Sequence, residues 1–205
     1  MELKVKRKFL RTIIIVLALF IIGSLLLFFS LPRLLIAPTQ VEKVDVILHN
    51  AIDARTTTDD YVAELYRLGY AGKIVCISPQ ASWETYPADY ARKHLIYMGI
   101  PEQNIMVLHL PIPDCPAGSF RLIADYVYSQ GWKRALLITY PQQSRYEGWL
   151  AGKIFEKQKI GLVVTYPPDD EDELTTNWWR EHWKVQRMIN AAIVIPLDRF
   201  YSECR

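Results

Sequence analysis

The sequence predicts an α/β protein: a Rossmann-like, three-layer parallel sheet preceded by a single N-terminal transmembrane helix. Three observations carry this. Residues 12–31 run for 20 positions without a charge. Beyond them, short β-rich apolar runs alternate with amphipathic stretches at helical spacing, the pattern of βαβ units. Those strand runs are apolar throughout, as in sheets covered on both faces. With 205 residues, 51% apolar and 22% charged, the composition excludes a disordered tail, a collagen-like fibre and a disulfide-dense mini-protein.

The apolar run comes first. At 1.5 Å per residue, 20 residues span about 30 Å, the hydrocarbon thickness of a bilayer. Arg11 and Arg33 bracket it. A cleavable signal peptide has a shorter apolar core and a small-residue cleavage site. Phe28, Phe29, Leu31 and Pro32 supply no such site, so the run reads as an uncleaved signal anchor. Lys4, Lys6, Arg7, Lys8 and Arg11 precede it against Glu2. The positive-inside rule then makes residues 1–11 a cytoplasmic basic segment, 12–31 the transmembrane helix, 32–41 a linker and 42–205 the extracytoplasmic domain. The expected location is a cytoplasmic membrane, single-pass; in a bacterium the domain would then be periplasmic or extracellular. Gly23 and Ser24 could let another membrane helix pack closely. The net charge of +2 is dominated by that basic start, and the weakly acidic remainder argues against nucleic acid as a partner.

The domain reads as five strands and five helices. Residues 44–48 are a buried strand, and a helix follows over 59–68, with Tyr61, Val62, Leu65 and Tyr66 at helical spacing, stopped by Gly69. Residues 73–77 are the second strand, and 87–98 a helix ended by Gly99 and Pro101. Residues 105–108 are the third strand, with a helix over 120–128 stopped by Gly131. Residues 135–138 are the fourth strand and 146–157 its helix, with Gly161 behind it; residues 162–165 are the fifth strand. A last helix covers 177–195, and Pro196 should kink or end it. The acidic run 169–173 reads as a solvated loop. Gly69, Gly99, Gly131 and Gly161 all fall at helix-to-strand junctions, where a left-handed cap favours glycine.

In such folds ligands bind beyond the C-terminal ends of the strands. No GxGxxG or GxxxxGK[ST] occurs there, which disfavours a nucleotide enzyme, and no cofactor is expected. The turns are still polar: His49, Asn50, Asp53 and Arg55 after the first strand, Ser78 and Glu84 after the second, His109 and Asp114 after the third. Thr139, Gln142, Gln143, Ser144 and Arg145 follow the fourth. One reading is an anion or sugar pocket with Arg55 and Arg145 as donors; the other is that these residues cap helices and satisfy loop backbone. His49 and His109 could meet if their strands were neighbours, but no short metal-ligand spacing supports a metal, and none is expected. Ser78, His49 and Asp53 lack the GxSxG elbow of a hydrolase triad. Cys76 sits in an apolar strand run and reads as buried; Cys115 and Cys204 could pair, with no spacing motif to decide it. Trp178, Trp179 and Trp183 open the last helix. They either pack it on the sheet or contact the membrane interface or a partner.

These residues together resemble the SanA/YdcF-like proteins of bacterial envelopes. The match covers nearly the whole domain: Val44-Asp45-Val46-Ile47-Leu48, Arg55, Ala63-Glu64-Leu65-Tyr66-Arg67-Leu68-Gly69, Ile74-Val75-Cys76-Ile77-Ser78, Glu84, Gly99-Ile100-Pro101, the segment 131–139, Arg145 and Trp178-Trp179. The resemblance implies an anchored extracytoplasmic domain. The chain departs from the family pattern at its polar positions. Ala51, Ile52 and Asp53 replace the glycines after the first strand, Pro79 and Gln80 those after the second, and Gln143 stands where the family has histidine.

An intact scaffold beside a degraded cleft leans towards a non-catalytic domain, with no catalytic residue assigned. The expected function is an accessory or assembly subunit working with other membrane proteins. The alternative is an envelope enzyme or binder acting on a phosphorylated or glycan-lipid precursor. Its ligand contacts would be Arg55, Ser78, Glu84, Thr139 and Arg145, and membrane or partner contacts in either case would be Trp178, Trp179, Trp183, Gly23 and Ser24.

Overall fold

The computed structural model describes residues 2–39, 41–51, 56–83, 85–112 and 115–201. Helix α1 (Glu2–Leu35) contains one stretch, Thr12–Leu35, long and apolar enough to cross a membrane. Large side chains along it, such as Phe20 and Leu26, are exposed. The helix outruns its expected end at residue 31. Pro32 lies inside it, the Ile36 N–H donates to the Pro32 carbonyl at 2.9 Å, and Leu35 and Ile36 are buried. The expected linker at 32–41 therefore begins as helix, because its apolar residues have a surface to pack on.

The domain alternates strand and helix as expected. Strand β1 (Val46–Asn50) leads to α2 (Thr56–Arg67), β2 (Lys73–Pro79) to α3 (Pro87–Tyr97), and β3 (Ile105–Leu110) to α4 (Pro116–Ser129). Strand β4 (Arg134–Ile138) leads to α5 (Ser144–Lys157), and β5 (Gly161–Thr165) to α6 (Pro168–Thr175) and α7 (His182–Tyr201). The five strands form one sheet in the order β3-β2-β1-β4-β5, and every pairing is parallel. Both faces are covered. Val46, Leu48, Val75 and Ile77 pack with Phe120, Ile123, Leu150 and Phe155 of α4 and α5. Ile47, Ile74 and Cys76 point the other way, against Val62, Leu65, Ala88 and Leu95 of α2 and α3. Period-two alternation with two dry faces is why the strands read as unbroken apolar runs.

Several boundaries differ from the sequence reading. Strand β1 starts at Val46, two residues late. Val44 and Asp45 instead donate backbone hydrogen bonds to the Tyr70 and Arg134 carbonyls, at 2.8 and 3.0 Å. The acidic run is the helix α6, with Pro168 opening it and Asp169, Asp170 and Glu171 in its first turn, where carboxylates complement the helix dipole. The expected last helix over 177–195 is two pieces: a 3-10 turn at Trp178–Arg180 and α7, which runs through Pro196 to Tyr201. Glu181, extended at φ −112° and ψ 117°, breaks them apart, and Asn177 at φ 50° sets the 3-10 turn off from α6. Gly69, Gly99 and Gly131 have φ of 76°, 87° and 76°, as a left-handed cap requires. Gly161 does not serve this way; Lys159 takes the left-handed turn at φ 60°.

Candidate functional site

The chain passes from β1 outward to β2 and β3, then returns to β4 on the other side of β1. The direction of winding therefore switches between β1 and β4, and a crevice opens beyond their C-terminal ends. Asn50 ends β1, and Thr139 follows β4. The Thr139 hydroxyl, itself buried, donates to the carboxyl of Glu147 in the first turn of α5. Burial pushes the Glu147 carboxyl up to about 7, against a smaller opposing effect of the Thr139 hydrogen bond. Glu147 lies between two cavities. One, of about 310 Å³, is lined by Gln142, Gln143, Arg187 and Asn190 and walled by Phe120 and Val194. The other, of about 160 Å³, reaches Asn50 and Ser119 beneath the same Phe120. Gln142 is only 8% exposed, and its Oε1 has no hydrogen-bond partner among the described residues.

Among the described residues, the sequence-predicted ligand residues Ser78, Thr139 and Arg145 each have a different partner. Ser78 is fully buried, and its Oγ accepts the Ala88 N–H at 3.0 Å, capping α3. Thr139 is engaged with Glu147. Arg145 donates to the carbonyls of Ile36 at 2.7 Å and Arg33 at 3.1 Å. Arg55 and Glu84, with Asp53, Asp114 and Cys204, lie outside the described residues.

Arg145 instead belongs to a junction that fastens the anchor to the sheet. The Ala37 N–H donates to Ser144 Oγ at 2.9 Å, and Tyr166 Oη donates to the Ala37 carbonyl at 2.7 Å. Burial, with Glu171 beside it, pushes the Tyr166 hydroxyl up. Beneath these bonds Leu35, Ile36, Tyr166, Leu174, Trp178 and Met188 form a small apolar core. Trp178 is 2% exposed, its ring 4.5 Å from that of Phe28. Trp179 stays half-exposed, edge-on to Phe29 at 5.5 Å. Trp183 donates to Glu181 at 2.9 Å, with Arg187 over its ring. The tryptophans thus do not share one helix face: the first seals the junction, and the other two flank it. Gly23 and Ser24 are in the exposed middle of α1, with open space around Gly23.

A third polar cluster sits on the opposite face of the sheet. His49 Nε2 and His94 Nδ1 both hydrogen-bond to Asp59, at 2.6 and 2.8 Å, one on each carboxylate oxygen. His49 and His109 do not meet, because β2 lies between their strands; His109 pairs with Asp89 and stacks on Tyr86. Among the described residues no group of three or more His, Cys, Asp or Glu could hold a metal ion. Cys76 is free and buried, its thiol pushed up chiefly by burial. Cys115 is disulfide-bonded.

Sequence reasoning did not single out Glu147, Asp59, His94 or Tyr166. A signal existed for two of them. Glu147 precedes Leu150 and Ala151 by three and four residues, and Asp59 precedes Val62 and Ala63 likewise; each acid is therefore on the core face of its helix. Compared with known proteins, the chain matches no family model and no curated protein.

Proposed function

We propose that the chain is a degenerate SanA/YdcF-like envelope protein: a non-catalytic accessory or assembly subunit, fixed to the outer face of a bacterial cytoplasmic membrane by its N-terminal helix. One observation carries the reading. Ser144 and Arg145, opening α5 beyond β4, and Tyr166, just past β5, spend their hydrogen bonds on the backbone of the anchor. Beside the crevice at β1 and β4, this chain has built a mount for its anchor. A mount that sets a domain at a fixed height and angle over the bilayer suits a protein whose task is to present a surface to neighbours. The disulfide at Cys115 supports an oxidising, extracytoplasmic compartment, and the basic residues before the span support a cytoplasmic N-terminus.

The alternative, an enzyme or binder for a phosphorylated or glycan-lipid precursor, needs Arg145 to turn towards a ligand. Its guanidinium is held by two carbonyls of the junction, which counts against that role. The test is extraction from native membranes in mild detergent, native separation and mass spectrometry. Comigration with a defined set of membrane proteins is expected. Migration as a free monomer or homo-oligomer would overturn the reading.

A further inference from the structure

We infer that the crevice around Glu147 is a binding site for a neutral, hydroxyl-rich small molecule of about monosaccharide size, seated between α4, α5 and α7. The inference goes beyond the accessory-subunit reading and stands or falls separately from it.

Shape is the first support. The cavities of about 310 and 160 Å³ meet at Glu147, at the switch point where open α/β sheets take ligands, and together fall in the usual size range of small-molecule sites. The polar lining is the second. Gln142 and Asn190 present carboxamides, Glu147 a carboxyl and Asn50 a further amide. Carboxamides both donate and accept, which is what recognition of sugar hydroxyls requires. Gln142, 8% exposed, has no hydrogen-bond partner on its Oε1 among the described residues, so the lining holds an acceptor that the protein itself leaves unsatisfied. Charge is the third. Among the described lining residues Arg187 is the one basic side chain and Glu147 the one acidic. With one basic and one acidic side chain, the lining has no cluster of like charge of the kind a strongly anionic or cationic ligand calls for. Phe120 and Val194 supply an apolar wall for the C–H face of a ring.

The test uses the full chain in lipid nanodiscs and ligand-observed saturation-transfer NMR, with D-glucose, N-acetyl-D-glucosamine and inorganic phosphate as probes. Transfer to at least one sugar is expected, and none to phosphate. Glu147→Gln keeps a donor and an acceptor and should retain binding. Glu147→Leu and Asn190→Leu should each weaken it about tenfold, the loss of one hydrogen bond. Circular dichroism separates loss of binding from loss of fold, and Asn190, exposed at the cavity rim, is the variant least able to disturb folding. Transfer to neither sugar, preference for phosphate, or binding unchanged in both leucine variants would overturn the proposal.

Discussion

Tyr166, one residue past the end of β5, donates its hydroxyl to the carbonyl of Ala37, two residues past the end of α1, at 2.7 Å. The sheet thus grips the chain directly as it leaves the membrane-length helix. Tyr166→Phe removes that donor and leaves the Ala37 carbonyl to find another. The expected cost is about 0.5–1.5 kcal/mol, read as a lower midpoint in urea unfolding of the detergent-solubilised protein.

The apolar part of the junction should matter more. Trp178 is 2% exposed and packs on Phe28 and Met188. Trp178→Ala removes a large buried ring and is expected to cost about 3–5 kcal/mol. The neighbouring Trp179, 45% exposed, should cost under about 1 kcal/mol on the same substitution. Equal effects of the two in thermal unfolding would mean that the junction core is packed otherwise.

Glu147 gives the protein a pH dependence of definite sign. Its carboxyl is raised to about 7 in the folded protein, from an ordinary value of 4.5. Between those values the folded state holds a proton that the unfolded chain has released. Stability from this group is therefore complete below about 4.5 and is lost as pH rises through about 7. Glu147→Gln should flatten the slope of stability against pH in that window. An unchanged slope in the variant would remove Glu147 as its source.

Cys76 is free and Cys115 is disulfide-bonded. The third cysteine of the sequence is Cys204, and a Cys115–Cys204 pair is the expectation to test. Peptide mapping without reductant is expected to link the peptides of Cys115 and Cys204, and to find Cys76 alkylated only after unfolding. Recovery of Cys115 as a free thiol from native membranes would contradict this and weaken the case for an oxidising compartment.

Much of the fold was legible because its cause is local. The five strands are apolar runs such as 135–138, and Gly69, Gly99 and Gly131 mark real left-handed caps. The differences lie where a tertiary contact or a helix-end effect decides. The α1 helix outruns residue 31 because Leu35 and Ile36 find a partner surface in α6 and α7. The run 169–173 looks like solvent-facing loop by charge, yet Pro168 and the helix dipole make it a helix. The site was less legible for the same reason. Arg145 offered the right chemistry for an anion, and nothing in its neighbours announced that carbonyls 109 and 112 residues earlier would take it. Asp59 gave only its helical phase, and its two histidines lie on other elements.

The central claim is that anchor and domain form one rigid unit, and a distance measurement tests it most directly. Spin labels at Leu27→Cys on α1 and Tyr128→Cys on α4, both at exposed positions, would be placed in the full chain in nanodiscs and measured by double electron–electron resonance. The account predicts one narrow distance distribution that broadens when Arg145→Ala is added. A broad distribution in the parent protein would mean that the domain swings freely on its anchor, and would contradict the account.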